Sequence, residues 1–312
     1  MAKRTTKRPA SKPASKPASK SASKSKRPPA KSKAKPTAKP AKPLALSGQI
    51  LPMFQVDAFT RRLFHGNPAA VVICERAMPA PAVMQAIAAE NNLAETAFVL
   101  PTAQGKAKIR WFTPTSEIDL CGHATLAAAH VLWRHIGMKG SKITFASASG
   151  PLPVTLAPTG EITLDFPARP AKPVKVTPAM AAALGRAPVE AHLARDLMLV
   201  FENKRDVHEL TPDFARLAEL DGVGVIATAP GAGHDIVTRC FFPKTGVNED
   251  PVTGSAHCTL VPYWAKRLNR MRITSHQVSA RGGELTCVFS PTGDRVHIAG
   301  HAVTFMLADI VC

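Results

Sequence analysis

Three short segments of the 312-residue chain set titratable side chains where they could do chemistry. In Asn91-Asn92-Leu93-Ala94-Glu95-Thr96-Ala97-Phe98-Val99-Leu100 a single carboxylate, Glu95, stands at the entrance of a very apolar strand. Burial there suits a general acid/base, whose proton must come and go near neutral pH. A surface carboxylate at a strand start is the ordinary alternative. In Glu117-Ile118-Asp119-Leu120-Cys121-Gly122-His123, the histidine falls in the first turn of a helix. It can donate to a bound anion or tune a nearby acid, or it can cap and pack. Cys121 is either a thiolate activated by the helix start or a small residue in a tight turn. In Val247-Asn248-Glu249-Asp250-Pro251-Val252-Thr253-Gly254-Ser255-Ala256, two adjacent carboxylates precede a turn and a helix. They can position a substrate amine or hydroxyl, or offset the helix dipole as a capping cluster.

The elements that must carry these groups alternate short β-type runs with longer helical ones. Strands are expected at 51–59, 69–74, 97–100, 108–113, 142–146, 161–166, 197–201, 224–228, 236–242, 277–280 and 285–289, rich in Val, Ile and Phe and punctuated by turn residues. Pro81–Asn91 reads as a helix with proline near its first turn. The mixture indicates an α/β or α+β architecture.

An internal echo is more informative. Arg110-Trp111-Phe112-Thr113-Pro114 leads through a polar stretch into Gly122-His123-Ala124-Thr125-Leu126 and a helix reaching Trp133; Cys240-Phe241-Phe242-Pro243 leads into Gly254-Ser255-Ala256-His257 and a helical run reaching Trp264. Two copies in a chain of this size imply two similar lobes facing each other. A pseudo-twofold axis between them would bring two helix N-termini to opposite sides of one cleft, where free N–H groups favour an anion. Gly122 and Gly254 would let the backbone come close to a carboxylate, and Ser255 would add a hydroxyl donor. Either turn alone could be no more than a well-formed helix start.

Charge is partitioned sharply. Residues 1–46 hold twelve Lys, three Arg and no acid, among Pro, Ala and Ser repeats, a composition expected to form a disordered tail. The remainder carries 25 basic against 22 acidic residues, net +3 rather than +18. Nucleic-acid binding by the folded part therefore loses its compositional support, while the tail keeps a weak, salt-sensitive attraction for polyanions or serves as a solubilising linker. No apolar run is long enough to span a membrane. Six cysteines at scattered spacings, with no C-x-x-C pair, argue against a disulfide framework or a zinc site and for reduced thiols in a cytoplasm.

Taken in order, Val56-Asp57-Ala58-Phe59, Gly66-Asn67-Pro68-Ala69-Ala70-Val71, Asn92-Leu93-Ala94-Glu95-Thr96-Ala97-Phe98, Phe112-Thr113-Pro114, Cys121-Gly122-His123-Ala124-Thr125 and Glu249-Asp250-Pro251-Val252-Thr253-Gly254-Ser255-Ala256 resemble the phenazine-biosynthesis PhzF-like family from about Met53 to near the C-terminus. The resemblance implies a diaminopimelate-epimerase-like α+β fold of two lobes, each a curved, barrel-like mixed sheet around a central helix. The lobes are expected at 47–168 and 169–312, with the last strands free to cross back to the first lobe. It further implies Glu95 as the proton-shuttling acid/base and His123 and Asp250 as holders of the substrate's polar groups. The turns at Gly122 and at Gly254-Ser255 would supply anion-binding amides. It also implies a homodimer.

The activity expected is isomerisation of a small carboxylate-bearing metabolite without metal or organic cofactor. Rossmann, P-loop and H-E-x-x-H patterns are absent from the sequence. An amino-acid epimerase using Cys121 or Glu95 with Asp250 is the alternative. The two-thiol racemases of this fold place a second cysteine where this chain has Asp250, and Cys258 falls inside the following helix. A non-catalytic binding protein with a nucleic-acid-associating tail is the third reading.

Overall fold

The computed structural model describes residues 48–312, so the expectation for residues 1–46 lies outside it. The first half of the described chain runs β1 (Ile50–Ala58), β2 (Asn67–Ile73), α1 (Pro81–Asn91), β3 (Glu95–Ala103), β4 (Lys106–Phe112), β5 (Glu117–Ile118), α2 (Gly122–Arg134), β6 (Lys142–Ser147), β7 (Gly150–Leu156) and β8 (Ile162–Pro167). The second runs β9 (Lys172–Val174), α3 (Pro178–Leu184), β10 (Glu190–Leu193), β11 (Leu197–Val200), α4 (Lys204–His208), α5 (Phe214–Glu219), β12 (Val225–Pro230), β13 (Ile236–Phe242), β14 (Val247–Asp250), α6 (His257–Leu268), β15 (Arg272–Gln277), β16 (Gly283–Phe289) and β17 (Arg295–Gly300). β18 (Ala302–Val311) closes the chain.

The halves repeat one pairing scheme. β4 pairs antiparallel with β3 and β5 and parallel with β6; β13 does the same with β12, β14 and β15. β2 lies parallel to β3 and antiparallel to β1, as β11 does to β12 and β10. β8 and β17 join the two sheets by an antiparallel ladder. β18 pairs with β1 as β9 pairs with β10, so the C-terminal strand supplies the first lobe with the edge that β9 gives the second.

Each sheet curls around one helix, and sequence explains why. In α2, Ala124, Ala127, Ala128 and Ala129 are fully buried beside Leu126, Val131 and Leu132. Alanine is the strongest helix former and keeps the helix thin, so strands can approach it closely. In α6, Leu260, Val261, Trp264 and Ala265 are buried. Pro262 interrupts that helix, and because it has no N–H the Cys258 carbonyl one turn back is released. The Arg169 N–H takes that carbonyl at 2.8 Å, tying the start of the second half to α6.

One expected strand is displaced. The run 277–280 is not a strand; β15 covers Arg272–Gln277 and Gln277 is its last residue. Arg272-Ile273-Thr274-Ser275-His276-Gln277 is mostly polar, but Ile273, Ser275 and Gln277 face inward on alternate positions. Burial of the polar side chains of Ser275 and Gln277 hid the period from a hydrophobicity reading.

Candidate active site

Glu95 is the first residue of β3, in register with Ala69 of β2. The chain reaches it through Asn92, the left-handed cap of α1 at φ 48°. His123 lies in the first turn of α2, and Cys121 precedes that helix in extended conformation. Asp250 ends β14, and residues 251–256 turn from there into α6. Glu95, Gly122, His123, Asp250, Gly254 and Ser255 all line a single cleft of about 200 Å³, with Cys121, Thr253 and Arg195. All six expected site residues, drawn from both lobes, are therefore brought together.

Two helix starts meet at the floor of this cleft. A Cβ on Gly254 would sit 3.6 Å from the Cα of Gly122, and one on Gly122 would sit 3.5 Å from the Cα of Gly254. The absent side chains bring the N-terminal ends of α2 and α6 side by side, each with N–H groups that its own helix cannot satisfy. That is a setting for one anion between two matching donors.

The polar centre is Glu95 and His123. The imidazole Nε2 lies 3.0 Å from Glu95 Oε2, with side-chain exposures of 6% and 16%. The two form an ion pair, neither atom has a hydrogen bond to any other group, and both residues border the cleft. On the other ring edge, His123 Nδ1 lies 3.2 Å from Asn67 Nδ2 and 3.6 Å from Cys121 Sγ.

Asn67 is the residue that sequence reasoning missed. It is fully buried, and its Nδ2 donates to Asp250 Oδ1 at 2.8 Å and to the Val252 carbonyl at 2.9 Å. Asn67 thus holds Asp250 of one lobe and packs against the His123 ring of the other. The signal was present as Gly66-Asn67-Pro68, which reads as turn punctuation. Gly66 has φ +68°, and a Cβ there would fall 2.2 Å from the Ala58 carbonyl oxygen, so only glycine brings Asn67 to this position.

Asp250 is held further by Thr253 Oγ1, which donates to Oδ2 at 2.6 Å. Gln277 clamps the turn: its Oε1 accepts from Thr253 N at 2.8 Å and its Nε2 donates to the Asp250 carbonyl at 2.7 Å. Burial pushes the Asp250 carboxyl up to about 6, with His123 pulling down and Glu95 pushing up. For His123, burial disfavours the imidazolium. The Cys121 sulfur and the Glu95 carboxylate more than offset that and hold its pKa well above the ordinary value. Burial first, then the Glu95 charge, pushes the Cys121 thiol up, which disfavours a thiolate. Donor atoms of Glu95, Cys121 and His123 lie within 4.8 Å of one another, close enough to hold a divalent ion. Such an ion would occupy the Glu95 oxygen that faces His123.

Outside the cleft, no disulfide joins the six buried cysteines, and no helix among the described residues is long and apolar enough to cross a membrane. Cys258 is buried in the first turn of α6.

Comparison with known proteins turns this geometry into a class. A solved PhzF-family phenazine biosynthesis protein from Enterococcus faecalis superposes with a TM-score of 0.81 at 48% identity, over 85% of this chain and 100% of that one. A hydroxyproline epimerase from Agrobacterium vitis, solved with bound trans-4-hydroxy-L-proline, shares the fold alone: TM-score 0.60 at 10% identity, over 86% of this chain and 94% of its own. The fold is that of the PhzF-family isomerases, and the epimerase shares it. An uncharacterized isomerase of Pseudomonas aeruginosa is 51% identical over 255 residues, 81% of this chain and 95% of that relative. The sequence model of the family described as phenazine biosynthesis-like protein matches residues 56–308. The chain belongs to that PhzC-PhzF family.

Proposed function

We propose that the protein is a cofactor-independent isomerase in which Glu95 removes a proton from a carbon of a small carboxylate-bearing metabolite and returns it elsewhere on the same molecule. The observation that carries this reading is the buried Glu95–His123 ion pair at 3.0 Å, bordering a cleft that two helix starts front. The substrate carboxylate sits at the N–H groups of Gly122, Gly254 and Ser255. The helix ends stabilise the further negative charge that builds on this carboxylate as the proton leaves, and so make the neighbouring C–H more acidic. Glu95 takes the proton. His123, fixed by Asn67, donates from Nε2 to the carboxylate or to the substrate oxygen beside it, and Asp250 holds a second polar group across the cleft.

Glu95 is favoured over Cys121 as the base because the thiol is pushed away from its reactive form by burial and by the carboxylate next to it. Opposite Glu95 the cleft offers Asp250, and Cys258 does not line it. These observations support proton relocation over a two-thiol racemisation. Incubating the purified protein with a cell extract in deuterated water tests the reading: one or a few small acids should gain a single non-exchangeable deuterium. An extract in which only amino acids gain deuterium, at Cα and with inversion, would instead establish the epimerase reading.

A further inference from the structure

A second cavity, about 420 Å³, opens beside the cleft; Ile118, Leu120, Arg195 and Ser255 line both. Its walls add Arg169 and Arg295, so three guanidiniums from separate parts of the chain share one space. Each is anchored differently. The Arg169 backbone is held by the Cys258 carbonyl that Pro262 releases. Arg295 is spent on Asp165, with Nε to Oδ1 at 2.8 Å and a second nitrogen to the Asp165 carbonyl at 2.9 Å. Arg195 comes no nearer than 3.9 Å to Asp196, and the Arg169 guanidinium has no hydrogen bond or ion pair among the described residues. Asp119 also borders the space but pairs with neither. All three cations lie within electrostatic reach of Cys258, in the first turn of α6 just beyond Ser255.

Scattered surface arginines ordinarily project into solvent. Here the unpaired Arg169 guanidinium, the Arg195 guanidinium with only a long 3.9 Å ion pair to Asp196, and the positive end of α6 instead border one walled space that continues the catalytic cleft. Arginine presents a rigid fork of donors matched to carboxylate and phosphate oxygens, and such charge-assisted contacts are about twice as strong as neutral ones.

We propose that this annex takes a second acidic group of the substrate, a carboxylate or phosphate carried beyond the reacting carbon, with Arg169 and Arg195 as its ligands. The inference rests on the cleft being the isomerase site and narrows its substrates to molecules with two acidic ends. One acid sits between the helix starts and the other in the annex.

The test uses the full chain carrying Glu95→Gln, which binds without turning over, so its outcome does not depend on proton transfer by Glu95. Calorimetry compares glutarate and 3-phosphonopropionate with valerate, a chain of similar length bearing one acid. At least one of the two-acid probes should bind about tenfold or more tightly than valerate, and which of them binds best identifies the second group. Adding Arg169→Gln should remove most of that preference while valerate binding stays unchanged; Arg195 also lines the catalytic cleft, so Arg195→Gln should weaken every probe, the two-acid probes most. Should Arg169→Gln fail to fold, Arg169→Lys keeps the charge but loses the guanidinium fork and should still lose part of the preference. The lysine-rich N-terminal segment favours two-acid probes alike in every variant, so the loss of preference on substitution is the reading that reports the annex. Equal affinity for one-acid and two-acid probes overturns the proposal, and so does a preference that survives both substitutions.

Discussion

Gly122 and Gly254 pack against each other across the join between the lobes, each leaving for the other the space of a missing side chain. Phe59 lies 3.5 Å from the position of a Cβ on Gly254, and Phe166 lies 3.4 Å from that on Gly122. These are ordinary contact distances, so Gly254→Ala should be near neutral. Gly254→Val would force its branches into Gly122 or Phe59 and should cost about 1–3 kcal/mol, as overpacking does. Urea unfolding of the two variants checks the difference. The helix starts would also be pushed apart, so carboxylate binding should weaken only in the valine variant.

Asn67 links the lobes through one amide. Asn67→Ala leaves Asp250 Oδ1 and the Val252 carbonyl without their donor, at a cost of about 1–3 kcal/mol, and removes the support of the His123 ring. Stability and turnover should therefore fall together, measured by denaturant unfolding and by deuterium exchange. A variant that loses stability but keeps full exchange would reduce Asn67 to a structural role.

The clamp between Asp57 and Arg281 should matter for stability rather than chemistry. Arg281 donates to Asp57 Oδ1 at 2.7 Å and to the carbonyls of Gly66 and His65, holding the loop that carries Asn67. Asp57 is 2% exposed and keeps only the Phe64 N–H if Arg281 is removed. Arg281→Ala should cost about 2–4 kcal/mol, because it strands a buried charge. The melting temperature reads this directly.

Asp250 gives a dependence on pH whose sign is fixed. Burial raises its pKa from 3.8 to about 6 on folding, so the protonated form favours the folded state. That contribution is complete below 3.8 and is lost as pH climbs through about 6, a difference of roughly 3 kcal/mol. Asp250→Asn cannot ionise. It should melt no higher than the parent near about pH 4 and higher near about pH 8, while proton exchange falls. A stability difference that does not change with pH would contradict the buried, titrating carboxyl.

Much of this was legible in the sequence because chemistry and backbone signals coincide. Glu95 stands at a strand start, His123 in a first helical turn, and Gly254-Ser255 in a matching turn; the echo between Arg110–Trp133 and Cys240–Trp264 is the repeated pairing of β4 and β13 with their neighbours. Asn67 was not legible, since its role depends on Asp250, distant in sequence, and on a backbone path that only Gly66 permits. β15 was obscured because Ser275 and Gln277 are buried polar residues. The crossing of β18 onto β1 is a non-local pairing that no local pattern announces; the family resemblance, which left the last strands free to cross back, was its one signal.

The central claim is that one side chain moves the proton, and deuterium exchange by Glu95→Gln tests it most directly. Glutamine keeps the size and hydrogen-bonding capacity of Glu95 but cannot cycle a proton. Exchange into the substrate should fall by about 10²–10⁴-fold while binding of that substrate persists, whereas Cys121→Ser should retain substantial exchange. Near-normal exchange by Glu95→Gln, together with its abolition by Cys121→Ser, would contradict the account and make the thiol the base.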